Sequence, residues 1–435
     1  MTLVAAGHER WRLLQDISLK GGSLALERAS RMLLLAIAAR FLGEVRFGRF
    51  VFASTVTALL VLGIDLGLGA WTTRALARRP HDWVEVVIAG LTLRGRALVP
   101  YGLVIFGVAL WGAEGETRIA IVWLGVASPA NAFFDHFGAI HRGHERFMVE
   151  ARLATARSFF TTTSGLAGLL ITRSLAGLCA SLALASVVSS AFGAIVLRQF
   201  HPQGLTWALL AQSRKDDARA RMVLRESLPI WFGTLFSMLY FRVDAILLRT
   251  LTGDAELGAY GAAYKLFEAT LNLPSVLLAV TFPKLSRLHG DKPSQRKLER
   301  RLAMLLLILG LTLGLSCFAT APWLLRLFFG AGFERAAASL RVLSLALPLL
   351  YLNFGLTHFL LARDRARDTS QFAFFMVVLN VGLNLWLIPR LLGPGAAGAT
   401  VLTEVALTMS CLWALWRDGR NASVGQSLTS TPTAD

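Results

Sequence analysis

Long apolar stretches separated by short polar gaps recur along almost the whole chain. Each stretch approaches the length of about 20 residues at which an α-helix crosses the hydrocarbon core of a bilayer. The pattern predicts an all-α, polytopic membrane protein of about twelve transmembrane helices. We expect these helices at roughly 23–42, 47–70, 97–112, 118–140, 153–172 and 175–197 in the first half, and at 228–250, 257–282, 302–320, 336–361, 370–389 and 396–416 in the second.

The composition agrees with a membrane protein. Of the 435 residues, 55% are hydrophobic and only 16% are charged, whereas a soluble domain averages about 25% charged residues. The three cysteines, Cys179, Cys317 and Cys411, all lie inside apolar stretches. We interpret them as small buried hydrophobic residues and expect neither disulfides nor a metal site.

The net charge of +17 follows the predicted topology. The gap from Lys284 to Arg301 carries seven basic residues, whereas the gaps 113–117 (AEGET) and 251–256 (LTGDAE) carry acids. Because Lys/Arg-rich loops stay on the cytoplasmic side, both termini are predicted to be cytoplasmic, with Arg94 and Arg96 in the first cytoplasmic loop. No basic run lies on a soluble domain, so we expect no nucleic-acid partner.

Two segments about 210 residues apart resemble each other. Arg40–Phe50 reads RFLGEVRFGRF and Arg249–Tyr260 reads RTLTGDAELGAY. A chance match between two glycine-containing loops is the alternative. An offset of about half the chain is, however, typical of transporters that consist of two similar lobes. We therefore predict two six-helix lobes around a central cavity. The predicted parts are a cytoplasmic or interfacial segment 1–22, an N-terminal lobe 23–198, a basic cytoplasmic linker 199–226, a C-terminal lobe 227–418 and a disordered cytoplasmic tail 419–435.

Five segments resemble a known family. Asn380–Glu404 (NVGLNLWLIPRLLGPGAAGATVLTE) is similar to the signature of the last two helices in polysaccharide-type, Wzx-like flippases of the multidrug/oligosaccharidyl-lipid/polysaccharide exporter superfamily. Other junctions of these proteins resemble Arg242–Tyr264, Phe282–Leu288 and Leu327–Leu343, and Arg40–Leu68 matches their N-terminal junction, so the resemblance spans both predicted lobes in the same order. The resemblance implies a non-enzymatic transporter of the bacterial inner membrane that flips a polyprenyl-diphosphate-linked oligosaccharide to the outer leaflet by alternating access. Its implied partners are this lipid-linked glycan, the bilayer and the polysaccharide polymerase machinery.

Charged residues within or at the ends of the predicted spans are the candidate functional residues, because an unpaired charge in hydrocarbon is costly. Arginine and lysine are suited to binding phosphate. The candidates for binding the diphosphate and glycan are Arg28, Arg31, Arg242 and Lys265. The candidates for coupling or gating are Asp65, Asp244, Glu268 and Glu404. We expect no cofactor, and the sequence leaves open whether Na⁺ or H⁺ is a coupling ion.

Structural roles compete with these assignments. Lys265 and Glu268 are three residues apart and can neutralise each other on one helix face. Arg28 and Arg31 can extend toward the interface, and Asp244 and Glu404 can serve helix packing.

Other functions compete as well. A multidrug/cation antiporter would favour acidic residues, and a membrane glycosyltransferase or ligase would need a large outer loop or an acid cluster. The chain contains no GxxxxGK[ST] motif, so ATP hydrolysis is unsupported.

Overall fold

The computed structural model describes residues 2–200, 217–288 and 291–429. These residues form helices and short connections, and no strand occurs among them, which confirms the predicted all-α class. The α-helices are α1 Thr2–Leu60, α2 Leu62–Asp65, α3 Leu68–Arg78, α4 Trp83–Trp111, α5 Gly115–Gly143, α6 Phe147–Thr172, α7 Leu175–Phe200, α8 Asp217–Thr252, α9 Asp254–Thr270, α10 Asn272–Arg287, α11 Lys292–Phe329, α12 Ala337–Ala362, α13 Ala366–Leu391 and α14 Gly393–Thr429. Two 3₁₀ helices lie at Pro80–Asp82 and Ala331–Ala336.

The described helices account for a multi-pass membrane protein. Within the described ranges, nine helices are long and apolar enough to cross a bilayer, and the bent pair Asp254–Leu278 and Thr281–Arg287 raises this number to ten. One of the nine, Ala25–Arg78, includes the first two predicted spans, and α6 occupies the predicted span 153–172. Helices therefore lie at all twelve predicted positions. A helix satisfies its own backbone N–H and C=O groups, which find no water to bond with in the hydrocarbon core of a bilayer.

Single glycines separate the first two helices of each half of the chain. Gly43 (φ 71°, ψ 174°) interrupts α1, and Gly253 (φ 96°, ψ 178°) is the only residue between α8 and α9. This combination of positive φ with extended ψ is essentially restricted to glycine. The corresponding glycines of the two similar sequence segments therefore have the same backbone conformation.

The second predicted span, 47–70, is broken rather than continuous. The backbone leaves the α-helix after α2, where Leu66 (φ 46°) and Gly67 (φ 74°) adopt left-handed conformations. A Cβ atom on Gly67 would lie 2.5 Å from the Ser227 carbonyl oxygen, so the break brings α8 against the backbone. Trp231 Nε1 donates to the Leu62 carbonyl at 2.8 Å and covers one of the peptide oxygens at the break.

The third helix is longer than predicted, and two arginines are therefore assigned differently. The predicted span began at 97, but α4 begins at Trp83. The predicted loop position of Arg94 and Arg96 is wrong, because both lie inside α4 and Arg94 is fully buried.

The ends of the predicted parts also differ from the helices. Residues 201–216 of the predicted linker lie outside the described residues, and 217–226 form the start of α8. Helix α14 continues to Thr429 through most of the predicted disordered tail. The first proline after Arg417 is Pro432, so no proline interrupts the helix before that point.

The chain divides into two compact units, Met1–Met238 and Leu239–Asp435. Unit 1 contains an apolar core formed by α3, α4, α5, α7 and the start of α8, with Leu68, Val87 and Ile140 almost completely buried. Unit 2 contains a core formed by α10, α11, α12 and α14, with Phe359, Leu360 and Ala414 at its centre. Many large apolar side chains remain exposed, for example Leu103 and Phe106 of α4, which is the surface expected next to lipid.

Candidate functional site

Arg242, Lys265 and Glu268 form one ionic cluster in unit 2. Arg242 Nη2 donates to Glu268 Oε1 at 2.9 Å, and Lys265 Nζ donates to Glu268 Oε2 at 2.6 Å. The three side chains are 23%, 18% and 37% exposed, respectively. Two cations therefore share one carboxylate in a partly open environment between α8 and α9.

Arg242 retains donors for a further ligand. A guanidinium carries five N–H groups, and the bond to Glu268 is its only hydrogen bond within the described part of the chain. Lys265 and Glu268 were predicted as a local pair at i and i+3, and the structure adds Arg242 from the preceding helix to that pair.

Asp244 lies on α8 two residues from Arg242 but has different partners. Tyr260 Oη donates to its Oδ2 at 2.5 Å, and the Ala245 amide donates to its Oδ1 at 2.7 Å. The carboxyl group is buried. Two residues along a helix differ by about 200° in direction, so Arg242 and Asp244 reach separate partners on α9.

Glu404 is buried in the same way in α14. Tyr240 Oη donates to its Oε1 at 2.6 Å, and Asn353 Nδ2 donates to its Oε2 at 2.7 Å. Asn353 Oδ1 in turn accepts from Thr408 Oγ1 at 2.9 Å. The network therefore connects α8, α12 and α14 through one carboxyl group with both oxygens occupied.

Asp244 and Glu404 share a chemical arrangement that the sequence did not reveal. Each buried carboxyl group accepts from a tyrosine hydroxyl, Tyr260 for Asp244 and Tyr240 for Glu404. A further tyrosine, Tyr264, donates to the Phe241 carbonyl at 2.9 Å. The sequence signal for these partners is a recurrence of tyrosines near charged residues of α8 and α9, in a chain that has only five tyrosines.

Arg31 belongs to a second ionic cluster in unit 1. Its Nη2 donates to Glu27 Oε1 at 3.2 Å, and the side chain is 68% exposed. Arg157 of α6 donates to the same Glu27 oxygen at 3.2 Å and to Asp135 Oδ1 at 2.6 Å. Arg28 is also exposed and forms no ion pair with any described side chain.

Asp65 pairs with a buried arginine. Arg94 Nη2 donates to Asp65 Oδ1 at 2.5 Å, and Arg94 Nη1 lies 2.7 Å from His136 Nδ1. The Arg94 side chain is completely buried, whereas the Asp65 side chain is 36% exposed. Arg94 and His136 were not among the predicted site residues. The sequence signal for Arg94 is Asp65 itself, because an acid inside a span requires a neutralising cation on a neighbouring helix.

The eight candidate residues therefore divide among several places. Three of them meet in the Arg242 cluster, whereas Asp244, Glu404 and Asp65 each lie in a separate network. Arg31 lies in the Glu27 cluster of unit 1. No group of three or more His, Cys, Asp or Glu side chains suited to a metal ion occurs in the part of the chain that the structure describes.

Family models match most of the chain. A polysaccharide biosynthesis protein model covers residues 13–289, and a MatE model covers residues 229–386. No curated protein sequence matches the chain significantly.

Solved structures match the fold across nearly the whole chain. The inward closed lipid II flippase MurJ has a TM-score of 0.69 and 11% identity, with 91% of this chain and 87% of that chain covered. An inward-facing multidrug resistance MATE transporter of the MOP superfamily has a TM-score of 0.68 and 16% identity, with 92% and 96% covered. A MOP-superfamily transporter from Pyrococcus furiosus, whose binding pocket is described as having reverse polarity, has a TM-score of 0.56 and 14% identity, with 93% and 96% covered.

Fold, spans and buried charges together define a multi-pass, all-helical membrane protein with the fold of the MOP-superfamily transporters. The polysaccharide biosynthesis model matches more than half of the chain. The chain therefore belongs to the polysaccharide biosynthesis protein family. The proteins named in these comparisons are flippases and transporters, which agrees with the prediction that this chain is not an enzyme.

Proposed function

We propose that the protein flips a polyprenyl-diphosphate-linked oligosaccharide from the cytoplasmic to the outer leaflet of the bacterial inner membrane. The observation that carries this proposal is the cluster of Arg242, Lys265 and Glu268, in which two cations share one carboxylate. Membership of the polysaccharide biosynthesis protein family supports a glycan-linked substrate.

The diphosphate is the part of this substrate that most needs protein contacts. It is anionic and strongly hydrated, so it cannot enter hydrocarbon, whereas the polyprenyl chain can stay in lipid. Arg242 has N–H groups left for phosphate oxygens, and a guanidinium binds phosphate bidentately and stays charged. Lys265 adds a second positive charge beside it. Glu268 holds the two cations together and gives them up when the phosphate binds.

Arg28 and Arg31 are proposed to make the first contact with the headgroup. Both side chains are exposed at the predicted cytoplasmic start of the first span. Arg31 contacts Glu27 only at 3.2 Å, and this carboxylate is shared with Arg157. An incoming phosphate competes with this weak, exposed ion pair at small cost.

Asp65, Asp244 and Glu404 are proposed to couple transport to a cation gradient, with Na⁺ or H⁺ as the ion. Asp244 and Glu404 support this role through their tyrosine partners, because a hydroxyl can rotate between donating and accepting when a carboxyl group gains a proton. Asp244→Asn and Glu404→Gln are expected to bind substrate but to lose its accumulation against a gradient. Equal accumulation by wild type and both variants contradicts the coupling role.

A multidrug/cation antiporter is the second candidate function. It is favoured by the MatE match over residues 229–386 and by the MATE transporters among the similar structures. A cationic drug would require acidic contacts, whereas the Arg242 cluster has two cations for one acid. This composition supports an anionic substrate over a cationic one.

The deciding experiment reconstitutes the purified protein into liposomes with a polyprenyl-diphosphate oligosaccharide. A membrane-impermeant glycosidase reports how much headgroup has crossed the bilayer. We expect protein-dependent crossing in wild type, none in Arg242→Ala and partial crossing in Arg242→Lys, which keeps the charge but loses bidentate binding. Arg326→Ala is the control, because Arg326 is exposed and lies 3.8 Å from its partner Glu334.

Two results would count against the flippase. Absence of protein-dependent crossing with a matched glycan sinks the proposal, and normal crossing by Arg242→Ala removes this residue from the mechanism. Gradient-driven efflux of a cationic dye by the same proteoliposomes would favour the antiporter instead.

The proposed orientation places both termini in the cytoplasm. The Lys284–Arg301 gap and Arg363, Arg365 and Arg367 are then cytoplasmic together. Single cysteines introduced at Arg301 and Glu116 test this arrangement. A membrane-impermeant thiol reagent on intact cells should label the cysteine at position 116, which is proposed to face outward, and not the one at position 301. Polysaccharide polymerase machinery is the proposed partner that consumes the flipped product, and crosslinking in cells tests that contact.

A further inference from the structure

A cleft lies in unit 2 where α11, α12 and α14 meet. Its volume is about 570 Å³, and Arg296, Arg300, Leu356, Leu412 and Trp416 are among its lining residues. A second hollow of about 460 Å³ shares Arg296 and Arg300 with it and is otherwise lined by basic residues and a methionine. The two hollows therefore adjoin each other at the start of α11.

The cleft has an excess of positive charge. Arg296, Lys297, Arg300 and Arg301 line these hollows within six consecutive residues. The side chains of these four form no ion pair or hydrogen bond with any described residue. The one acid in the lining, Glu299, is already engaged by Arg363 through Nη2 to Oε2 at 2.5 Å and Nε to Oε1 at 3.0 Å. Bidentate pairs of this kind fix the wall of the cleft and leave the four cations for an external anion.

The other wall of the cleft is apolar. Leu412 and Trp416 of α14 are exposed, and Leu356 and Phe359 of α12 lie beneath them. One turn beyond the cations, α11 presents exposed Met304 and Leu305, and Ile308 continues this face. Cations and an indole ring thus line the cleft, and an apolar face continues from it along α11. These are the groups that contact a lipid headgroup, the interface and an acyl chain.

We propose that this cleft binds an anionic phospholipid of the bilayer. The phosphate lies on Arg296 and Arg300, and the acyl chains run along Met304, Leu305 and Ile308. Clusters of basic residues between helix ends are typical sites for anionic headgroups. A free phosphate would leave the apolar wall uncovered. A diacyl phospholipid covers both the cationic and the apolar parts, and this site is separate from the Arg242 cluster.

The test is native mass spectrometry of the purified full-length protein with phosphatidylglycerol, with phosphatidylcholine as the zwitterionic comparison. We expect wild type to retain phosphatidylglycerol and the Arg296→Gln/Arg300→Gln double variant to bind it roughly thirtyfold more weakly. The Arg296→Lys/Arg300→Lys variant should keep most of the binding. The matched control is Arg221→Gln/Arg225→Gln, which removes two exposed arginines at the same spacing from α8.

Several outcomes would overturn the proposal. Equal retention of phosphatidylglycerol by wild type and the Arg296→Gln/Arg300→Gln variant does so, as does equal retention of phosphatidylcholine and phosphatidylglycerol. Displacement of phosphatidylglycerol by inorganic phosphate at equal concentration would show that the cleft binds only the phosphate group and makes no use of the acyl chains. Preferential retention of polyprenyl diphosphate would assign the cleft to that lipid instead. Unchanged thermal melting of all variants ensures that a loss of lipid is not a loss of fold.

Discussion

The ion pair between Asp65 and Arg94 makes a sharp prediction about stability. Arg94 is completely buried, and its contacts are Asp65 Oδ1 at 2.5 Å and His136 Nδ1 at 2.7 Å. Asp65→Asn keeps the shape of the side chain but removes the only carboxylate that contacts the guanidinium within the described residues. A buried cation is then left without its counter-charge.

Removing one partner of a buried ion pair costs about 3–5 kcal/mol. Because the Asp65 side chain is 36% exposed, water reaches one side of the pair, and we expect the lower end of this range, about 3 kcal/mol. At about 2 °C per kcal/mol for a large chain, this corresponds to a melting temperature about 6 °C lower. Replacing both partners, in Asp65→Asn/Arg94→Met, should recover most of the loss because the unpaired charge is gone.

The assay is thermal melting of the detergent-solubilised protein, followed by size-exclusion chromatography of a fluorescent fusion. Glu334→Gln is the control, because Glu334 is 50% exposed and lies 3.8 Å from its partner Arg326. This substitution should cost under about 1 kcal/mol. If Asp65→Asn melts within about 1 °C of wild type, or if the double variant is less stable than either single variant, the reasoning is refuted.

The same variants separate stability from coupling. If Asp65 serves only to neutralise Arg94, the double variant should transport normally once its stability returns. If Asp65 also couples transport to an ion, the double variant should fold and still fail to accumulate substrate. Transport measured beside melting therefore distinguishes the two roles of this carboxylate.

Two glycine substitutions test the helix connections. Gly253→Ala should destabilise the protein by about 1–3 kcal/mol in the same melting assay, because a φ of 96° with extended ψ is unfavourable for any residue with a side chain. Gly233→Ala is its control and should be neutral or slightly stabilising, because Gly233 lies in a helix and nothing lies within 4 Å of the added methyl group. Gly310→Ala should cost about 1–3 kcal/mol, because its Cβ would lie 2.8 Å from the Leu347 carbonyl oxygen of the adjoining helix. Gly382→Ala, which meets nothing within 4 Å, is its control. Equal melting temperatures for a glycine variant and its control would contradict the corresponding argument.

Helix positions were largely predictable because the bilayer requires long uninterrupted apolar segments. The expected spans 175–197 and 336–361 correspond to α7 at Leu175–Phe200 and α12 at Ala337–Ala362. The start of α4 was missed for an identifiable reason. Hydropathy treats every arginine as hydrated, and Arg94 is instead neutralised by Asp65, 29 residues earlier in the chain.

The candidate site was only partly predictable, since its contacts join distant positions. Lys265 and Glu268 are three residues apart, so their pairing follows from helix geometry alone. Arg242 reaches Glu268 across 26 residues, and Tyr240 reaches Glu404 across 164. Neither contact has a local spacing rule, and a single sequence offers no other route to them.

The one-residue connection at Gly253 holds the end of α8 and the start of α9 together, so these two helices can change their mutual angle only by pivoting about this point. Adjacent Cα atoms are 3.8 Å apart, so the joined ends cannot separate. Arg242 lies eleven residues before the pivot, a distance of about 17 Å along a helix. An increase of about 10° in the angle between α8 and α9 would move Arg242 by about 3 Å, because it lies about 17 Å from the pivot. This displacement is as large as the 2.9 Å distance between Arg242 Nη2 and Glu268 Oε1. A small change in the angle between α8 and α9 is therefore sufficient to break or form the contact between Arg242 and Glu268, and with it to change how Arg242 and Lys265 together bind an anion.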